Sequence, residues 1–208
     1  LENITSGARS FGHRFMNPEF FEVTDFEDYL KKTKDHHIIA DPEQRKSIII
    51  EEARKAANDV AGEVLENEDL LNEVTFLVEY PSVVLGNFDR EYLDLPKEVL
   101  TTSMIKHQKY FPVTDGEGKL LPHFITVNNT LSKDPAVVAR GNEKVIRARL
   151  ADAQFFFEED QKTPLEDHLE DLKDVVFHRA LGTSYEKVMQ FRELALYIIE
   201  TINLPIKD

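Results

Sequence analysis

Two short stretches of the chain carry side chains that could hold a polyanion. Lys106-His107-Gln108-Lys109-Tyr110-Phe111 sets two ammonium groups, an imidazole and two aromatic rings within six residues, the mixture that tracks phosphates and stacks unpaired bases. Farther on, Arg140, Lys144 and Arg147 recur at i, i+4 and i+7. At about 100° per residue these three share one stripe of a helix, and Ile146, Leu150, Ala153 and Phe157 form a second stripe about 115° away. One stripe can bury while the other faces a polyanion. The plainer alternative makes Tyr110 and Phe111 core residues of a strand and the lysines merely solvated, and neither stretch is specific by itself.

Other chemistries find less support. His36 and His37 are adjacent, so they diverge on a strand or a helix and do not chelate. No His-Glu-x-x-His occurs, and the acidic residues near His168 and His178 have no ligand spacing, so no metal site is expected. Asp115-Gly116-Glu117-Gly118-Lys119 lacks the first glycine of a phosphate loop and has Leu120 where a magnesium-binding hydroxyl belongs, so it reads as a turn. No Gly-x-Ser-x-Gly elbow is present. The carboxylates of Glu158-Glu159-Asp160 and Glu170-Asp171 read as solvated surface. With no cysteine at all there is no thiol nucleophile, disulfide or Cys-ligated metal, which fits a reducing cytosol. No catalytic residue emerges.

Net charge seems to oppose a nucleic-acid partner: the 208 residues carry −14, whereas phosphates require Lys and Arg. The charge is unevenly distributed. Residues 97 to 150 hold nine basic and five acidic side chains, a local +4 that leaves −18 for the rest. Both cationic stretches fall inside this segment.

The elements that must position them can be read from pattern. Fourteen Phe and six Tyr are too many for a disordered chain, and no apolar run approaches the roughly 20 residues of a membrane span. Three regions are expected: a mixed strand and helix region over 1–80, a strand-rich centre over 81–133, and a helical region over 134–208. In the first, Glu19 to Val23 reads as a strand, Asp25 to Lys34 as a helix and His37-Ile38-Ile39 as a strand. Asp41-Pro42-Glu43-Gln44 opens a helix whose apolar face is Ile49, Ala53, Ala56, Val60 and Val64. Another helix runs from Glu68 towards Leu77. In the centre, strands are expected at Val83 to Leu85, Tyr110 to Val113 and His123 to Val127, with a helix from Pro96 through Met104. Asp115-Gly116 should turn a hairpin near 114–119 by lending glycine's positive φ. In the last region helices are expected from Asp134-Pro135 to Phe157, from Thr163-Pro164-Leu165-Glu166 to about His178, and from Ser184 to Ile202, with Pro205 ending the third. Helices flanking strands without βαβ alternation make the class α+β.

Longer stretches resemble the beta subunit of bacterial glycyl-tRNA synthetase, the type with separate alpha and beta chains. They are Gly12 to Met16, Glu73 to Pro81, Lys106 to Val113, Gly118 to Pro122, Gly141 to Arg147, Arg149 to Phe156 and Leu181 to Thr183. They run in one order from about residue 9 to the end. The chain opens on Leu1 without a basic-then-apolar leader and reads as an N-terminal-to-middle piece of a longer, cytoplasmic protein.

The resemblance implies that the alpha subunit activates glycine with ATP and magnesium, and that beta supplies tRNA-binding and structural domains in an assembly of two alpha and two beta chains. No cofactor is then expected in this piece. The strand-rich centre is similar, by the same resemblance, to the editing-type domain of the phenylalanyl-tRNA synthetase beta subunit, but no editing nucleophile is recognisable. Lys106, His107, Lys109, Arg140, Lys144, Arg147 and Arg149 are the residues expected on tRNA phosphates. The competing expectation is a scaffold that docks alpha through its apolar stripes and holds its cations in internal ion pairs. A weaker third is hydrolysis of misacylated tRNA.

Overall fold

A computed structural model describes residues 7–202; Pro205 lies outside the described residues. By contacts the chain falls into two units, Leu1–Gln154 and Phe155–Asp208.

The first unit is a mixed α and β fold. A hairpin of β1 (Arg9–Phe11) and β2 (Phe20–Glu22) leads to α1 (Phe26–Asp35), whose N-cap Asp25 accepts from the Asp28 amide. Next come α2 (Pro42–Asn58), β3 (Glu63–Val64), α3 (Glu68–Leu77) and β4 (Ser82–Asn87). A 3₁₀ turn at Arg90–Asp94 and α4 (Lys97–Thr102) run into a π-helical turn at Ser103–Gln108. Strands β5 (Phe111–Thr114) and β6 (Leu120–Asn128) and the long helix α5 (Pro135–Asp160) follow.

Four strands form an antiparallel sheet in the order β3-β5-β6-β4. Because side chains alternate across a strand, Phe111, Ile125 and Leu85, which are in register, share one face. They pack with Ile49, Ala53 and Ala57 of α2 and Leu70, Leu71 and Val74 of α3. Small alanines let α2 approach the sheet closely. Asp41 accepts from the Glu43 amide to start this helix, and the Arg45 guanidinium donates to the carbonyls of Ile39, Ala40 and Thr75, tying its first turns to α3.

Pro112, Phe124 and Gly86 occupy the opposite face, again in register. Phe124 is fully buried and stacks on Tyr110 with centroids 4.8 Å apart. A β-carbon at position 86 would stand 2.4 Å from the Phe124 ring, so glycine is required where ring and backbone meet.

Several elements differ from the sequence expectation. His37 to Ile39 is not a strand: His37 has φ 59° and the Ile39 amide makes one isolated backbone bond, to the Glu79 carbonyl. Helix α2 stops at Asn58, so Val60 lies beyond it, Val64 belongs to β3, and the second buried alanine is Ala57, not Ala56. The hairpin is present, but the positive φ belongs to Gly118 and not to Gly116. The Asp115 carboxylate accepts from the amides of Glu117 and Lys119, and the left-handed residue closes the turn two positions later than expected. The helix expected through Met104 ends as α4 and continues as the π-helical turn to Gln108.

The second unit takes in the end of α5, then a short α6 (His168–Asp171), β7 (Val176–His178), β8 (Gly182–Thr183) and α7 (Ser184–Thr201). A helix from Thr163 to His178 is therefore replaced by one short turn and a strand. Val175 and Val176 favour extended backbone, and the Val175 carbonyl accepts from the Ser184 amide, closing the β7-β8 hairpin. Thr183 and Glu186 form a complete capping box for α7. No residue of α7 is buried. No helix among the described residues is long and apolar enough to cross a membrane.

The Phe124–Gly86 contact gives a direct test. Gly86→Ala should destabilise the first unit by about 1–3 kcal/mol through overpacking, measured by urea unfolding. Gly116→Ala, where an added β-carbon meets nothing within 4 Å, should leave the midpoint within about 0.5 kcal/mol or raise it slightly.

Candidate nucleic-acid interface

The two cationic stretches meet in the first unit. Lys106 and His107 are exposed on the π-helical turn, Lys109 follows it in a left-handed conformation (φ 60°), and Tyr110 turns inward to stack on Phe124. The Tyr110 hydroxyl donates to Asn142 Oδ1 at 2.9 Å, and Asn142 Nδ2 donates to the Val138 carbonyl at 3.1 Å. Asn142 lies between Arg140 and Lys144 on α5, so this bond brings the second stretch beside the first. Burial pushes the Tyr110 phenol above its ordinary value near 10, which keeps it a neutral donor.

Three other bonds set the rotation of α5. Glu143 Oε1 accepts from the Asn87 backbone and side-chain amides at 3.0 and 3.2 Å, and Arg147 Nε donates to Asp89 at 3.0 Å. Ile146 and Leu150 are fully buried, as the apolar stripe requires, while Arg140, Lys144 and Arg147 remain exposed. Arg149 is exposed too, but on a continuous helix it lies about 180° from Arg140, so it does not join that stripe.

The expected set is thus divided. Lys109 Nζ is 2.8 Å from Glu73 on α3, and Arg147 is paired with Asp89, so both are engaged inside the fold. Lys106, His107, Arg140, Lys144 and Arg149 have no side-chain partner among the described residues. Tyr110 and Phe111 are 7% and 1% exposed, and stacking on an unpaired base needs an open ring; both are core residues, as the plainer reading has it. Sequence reasoning missed Asn142. Its signal is that it stands four residues before Ile146 on the buried stripe, where a polar side chain must find a partner. Among the described residues no group of three or more His, Asp or Glu could hold a metal ion.

The glycyl-tRNA synthetase beta subunit family matches the chain over residues 1–207. The chain belongs to this family. It is 66% identical over its whole length to the glycine–tRNA ligase beta subunit of Syntrophus aciditrophicus. It is 54% and 53% identical, over 99% of its length, to those of Geotalea daltonii and Geobacter sulfurreducens. It spans about 30% of the length of these relatives. Within this glycyl-tRNA synthetase beta region, the resembling stretches Lys106 to Val113 and Gly141 to Arg147 are the two that the Tyr110–Asn142 bond joins.

Removing that bond should loosen the interface. Tyr110→Phe leaves Asn142 Oδ1 without its donor and should cost about 1–3 kcal/mol. In a double-mutant cycle with Asn142→Ala, read by urea unfolding, the two losses should fail to add by about 0.5 kcal/mol or more.

Proposed function

We propose that this chain is a tRNA-binding and structural portion of a glycine–tRNA ligase beta subunit, and is not itself catalytic. In this reading glycine activation with ATP and magnesium belongs to an alpha subunit, the two subunits act as an alpha2beta2 assembly in the cytoplasm, and tRNA is their shared substrate. The strand-rich centre is taken, on sequence resemblance, as related to the editing-type domain of the phenylalanyl-tRNA synthetase beta subunit. The observation that carries the RNA reading is the placement of Lys106, His107, Arg140 and Lys144. All four are exposed and without internal partners, on two segments joined by one buried-side hydrogen bond. In a chain of net charge −14, cations left unpaired by the surrounding carboxylates are available to phosphate.

A second reading, a scaffold that docks the alpha subunit, is favoured by the internal pairing of Lys109 and Arg147 and by the exposed apolar residues of α7, among them Phe191, Leu194 and Tyr197.

Titrating the chain with glycine tRNA over a range of salt separates the two. On the RNA reading, affinity falls steeply with salt, and Arg140→Ala with Lys144→Ala lowers the slope of log K against log salt by about one per residue. No binding at about 50 mM salt, or a slope unchanged in the double variant, overturns it. Salt-insensitive capture of the alpha subunit by that variant then supports the scaffold.

A further inference from the structure

Beside the Tyr110–Asn142 bond the surface opens into a cleft of about 120 Å³ between α3, the π-helical turn, β6 and α5. Val74, Leu77 and Val78 of the α3 side give it apolar walls, and the side chains of Gln108, Asn128 and Asn142 give it amide edges. This volume is far below the ~300 Å³ at which sites for drug-sized ligands begin. It suits one planar ring, not a whole nucleotide.

The hydrogen bonds at its edges are unequally used. Asn142 has its oxygen engaged by Tyr110 and one of its two N–H donors engaged by the Val138 carbonyl. Asn128 Nδ2 donates to the Ser82 carbonyl and to Thr126 Oγ1, while its Oδ1 has no partner among the described residues. The Gln108 amide has no partner there either, although it is half-buried. The cleft therefore offers a donor-and-acceptor amide and a separate acceptor against apolar walls. With Lys109 neutralised by Glu73, no uncompensated charge lines it, so an anion is not its natural occupant.

The backbone at its mouth is held in two uncommon states side by side: the π-helical turn Ser103–Gln108 and the left-handed Lys109. Each is disfavoured, and each recurs at functional sites. Together they bring Gln108 and Lys109 to the cleft while Tyr110 enters the core, the Tyr110 amide donating back to the Met104 carbonyl. Lys106 and His107, both exposed, precede Gln108 on this turn, whereas Arg140 and Lys144 leave α5 about 160° round the helix from Asn142.

We propose that this cleft receives a single unpaired nucleobase from the bound RNA, with Gln108 and Asn128 on the base edge, the valines and Leu77 against its faces, and Lys106 and His107 on an adjoining phosphate. Asn128 Oδ1 favours a base with an exocyclic amine over uracil. The inference rests on the RNA reading above and deepens it: phosphate contacts position a strand, and an unpaired base held in a cleft is what gives recognition beyond charge.

The test uses the chain and two RNA hairpins that share a duplex and differ only in a short unpaired 3′ tail, one of adenylates and one abasic. The intact tail should bind about tenfold more tightly, the scale of the net hydrogen bonds made at one base edge. Gln108→Ala, whose side chain supports nothing in the fold, should bring that ratio close to one without weakening the abasic hairpin; a matched urea midpoint confirms its folding. Arg140→Ala with Lys144→Ala should weaken both hairpins and preserve the ratio. Equal affinity for the two tails in the unmodified chain, or a ratio indifferent to Gln108→Ala, overturns the base site and leaves the RNA reading standing. If neither hairpin binds at low salt, both fall. Adenosine alone should give no saturable binding; saturable binding lost in Gln108→Ala would make the cleft a free-nucleoside site and overturn the RNA assignment.

Discussion

Strand β6 is buried on both faces, and the first unit is built around covering it. Phe124 and Ile125, adjacent in sequence and pointing opposite ways, are both fully inaccessible, so two separate covers are needed. Ile125 takes the close-packed alanine face of α2 together with α3. Phe124 takes the Tyr110 ring on one side and the bare backbone of Gly86 on the other. The second cover has a functional consequence. Tyr110 can cover Phe124 only by turning inward from the segment that carries Lys106 and His107, and its hydroxyl then reaches Asn142 and fixes where α5 passes. Core packing and surface chemistry are thus set by one side chain.

Electrostatics acts at a second level. The chain is strongly acidic as a whole, and carboxylates on α3 and before the 3₁₀ turn draw in Lys109 and Arg147. Such exposed pairs contribute little to stability. Their larger effect is selection: they remove two cations from the exposed set and leave Lys106, His107, Arg140, Lys144 and Arg149 without internal partners among the described residues. The excess of negative charge elsewhere disfavours polyanions on the remaining surface.

The second unit shows local and tertiary codes separating. Helix α7 opens with a full capping box, and Lys187 lies 3.7 Å above the Phe177 ring of β7, yet its large apolar residues remain exposed. Capping and propensity suffice to define where a helix starts and runs; they do not supply the second apolar surface that would bury its side chains.

What the sequence determined by itself is the part of the protein governed by neighbours in the chain. Asp25 and Asp41 announced helix starts through bonds to amides two or three residues away, α3 was expected from Glu68 towards Leu77, and the strands expected at Val83 to Leu85, Tyr110 to Val113 and His123 to Val127 followed from their apolar runs. The apolar stripe of α5 foretold that Ile146 and Leu150 would bury. The tertiary structure decided whatever depends on residues far apart. It showed that Tyr110 and Phe111 belong to the core, that Lys109 and Arg147 have internal partners, and that β3 exists because β5 lies beside it. It also showed that Val176 to His178 forms a strand where a helix opening at Thr163 was expected. The π-helical turn and the left-handed Lys109 were equally hidden, since neither has a local signature and both are disfavoured states that persist only where surrounding contacts over-determine them. Short-range hydrogen bonding writes itself into consecutive residues, whereas burial and charge pairing are settled only when distant segments compete for the same partner.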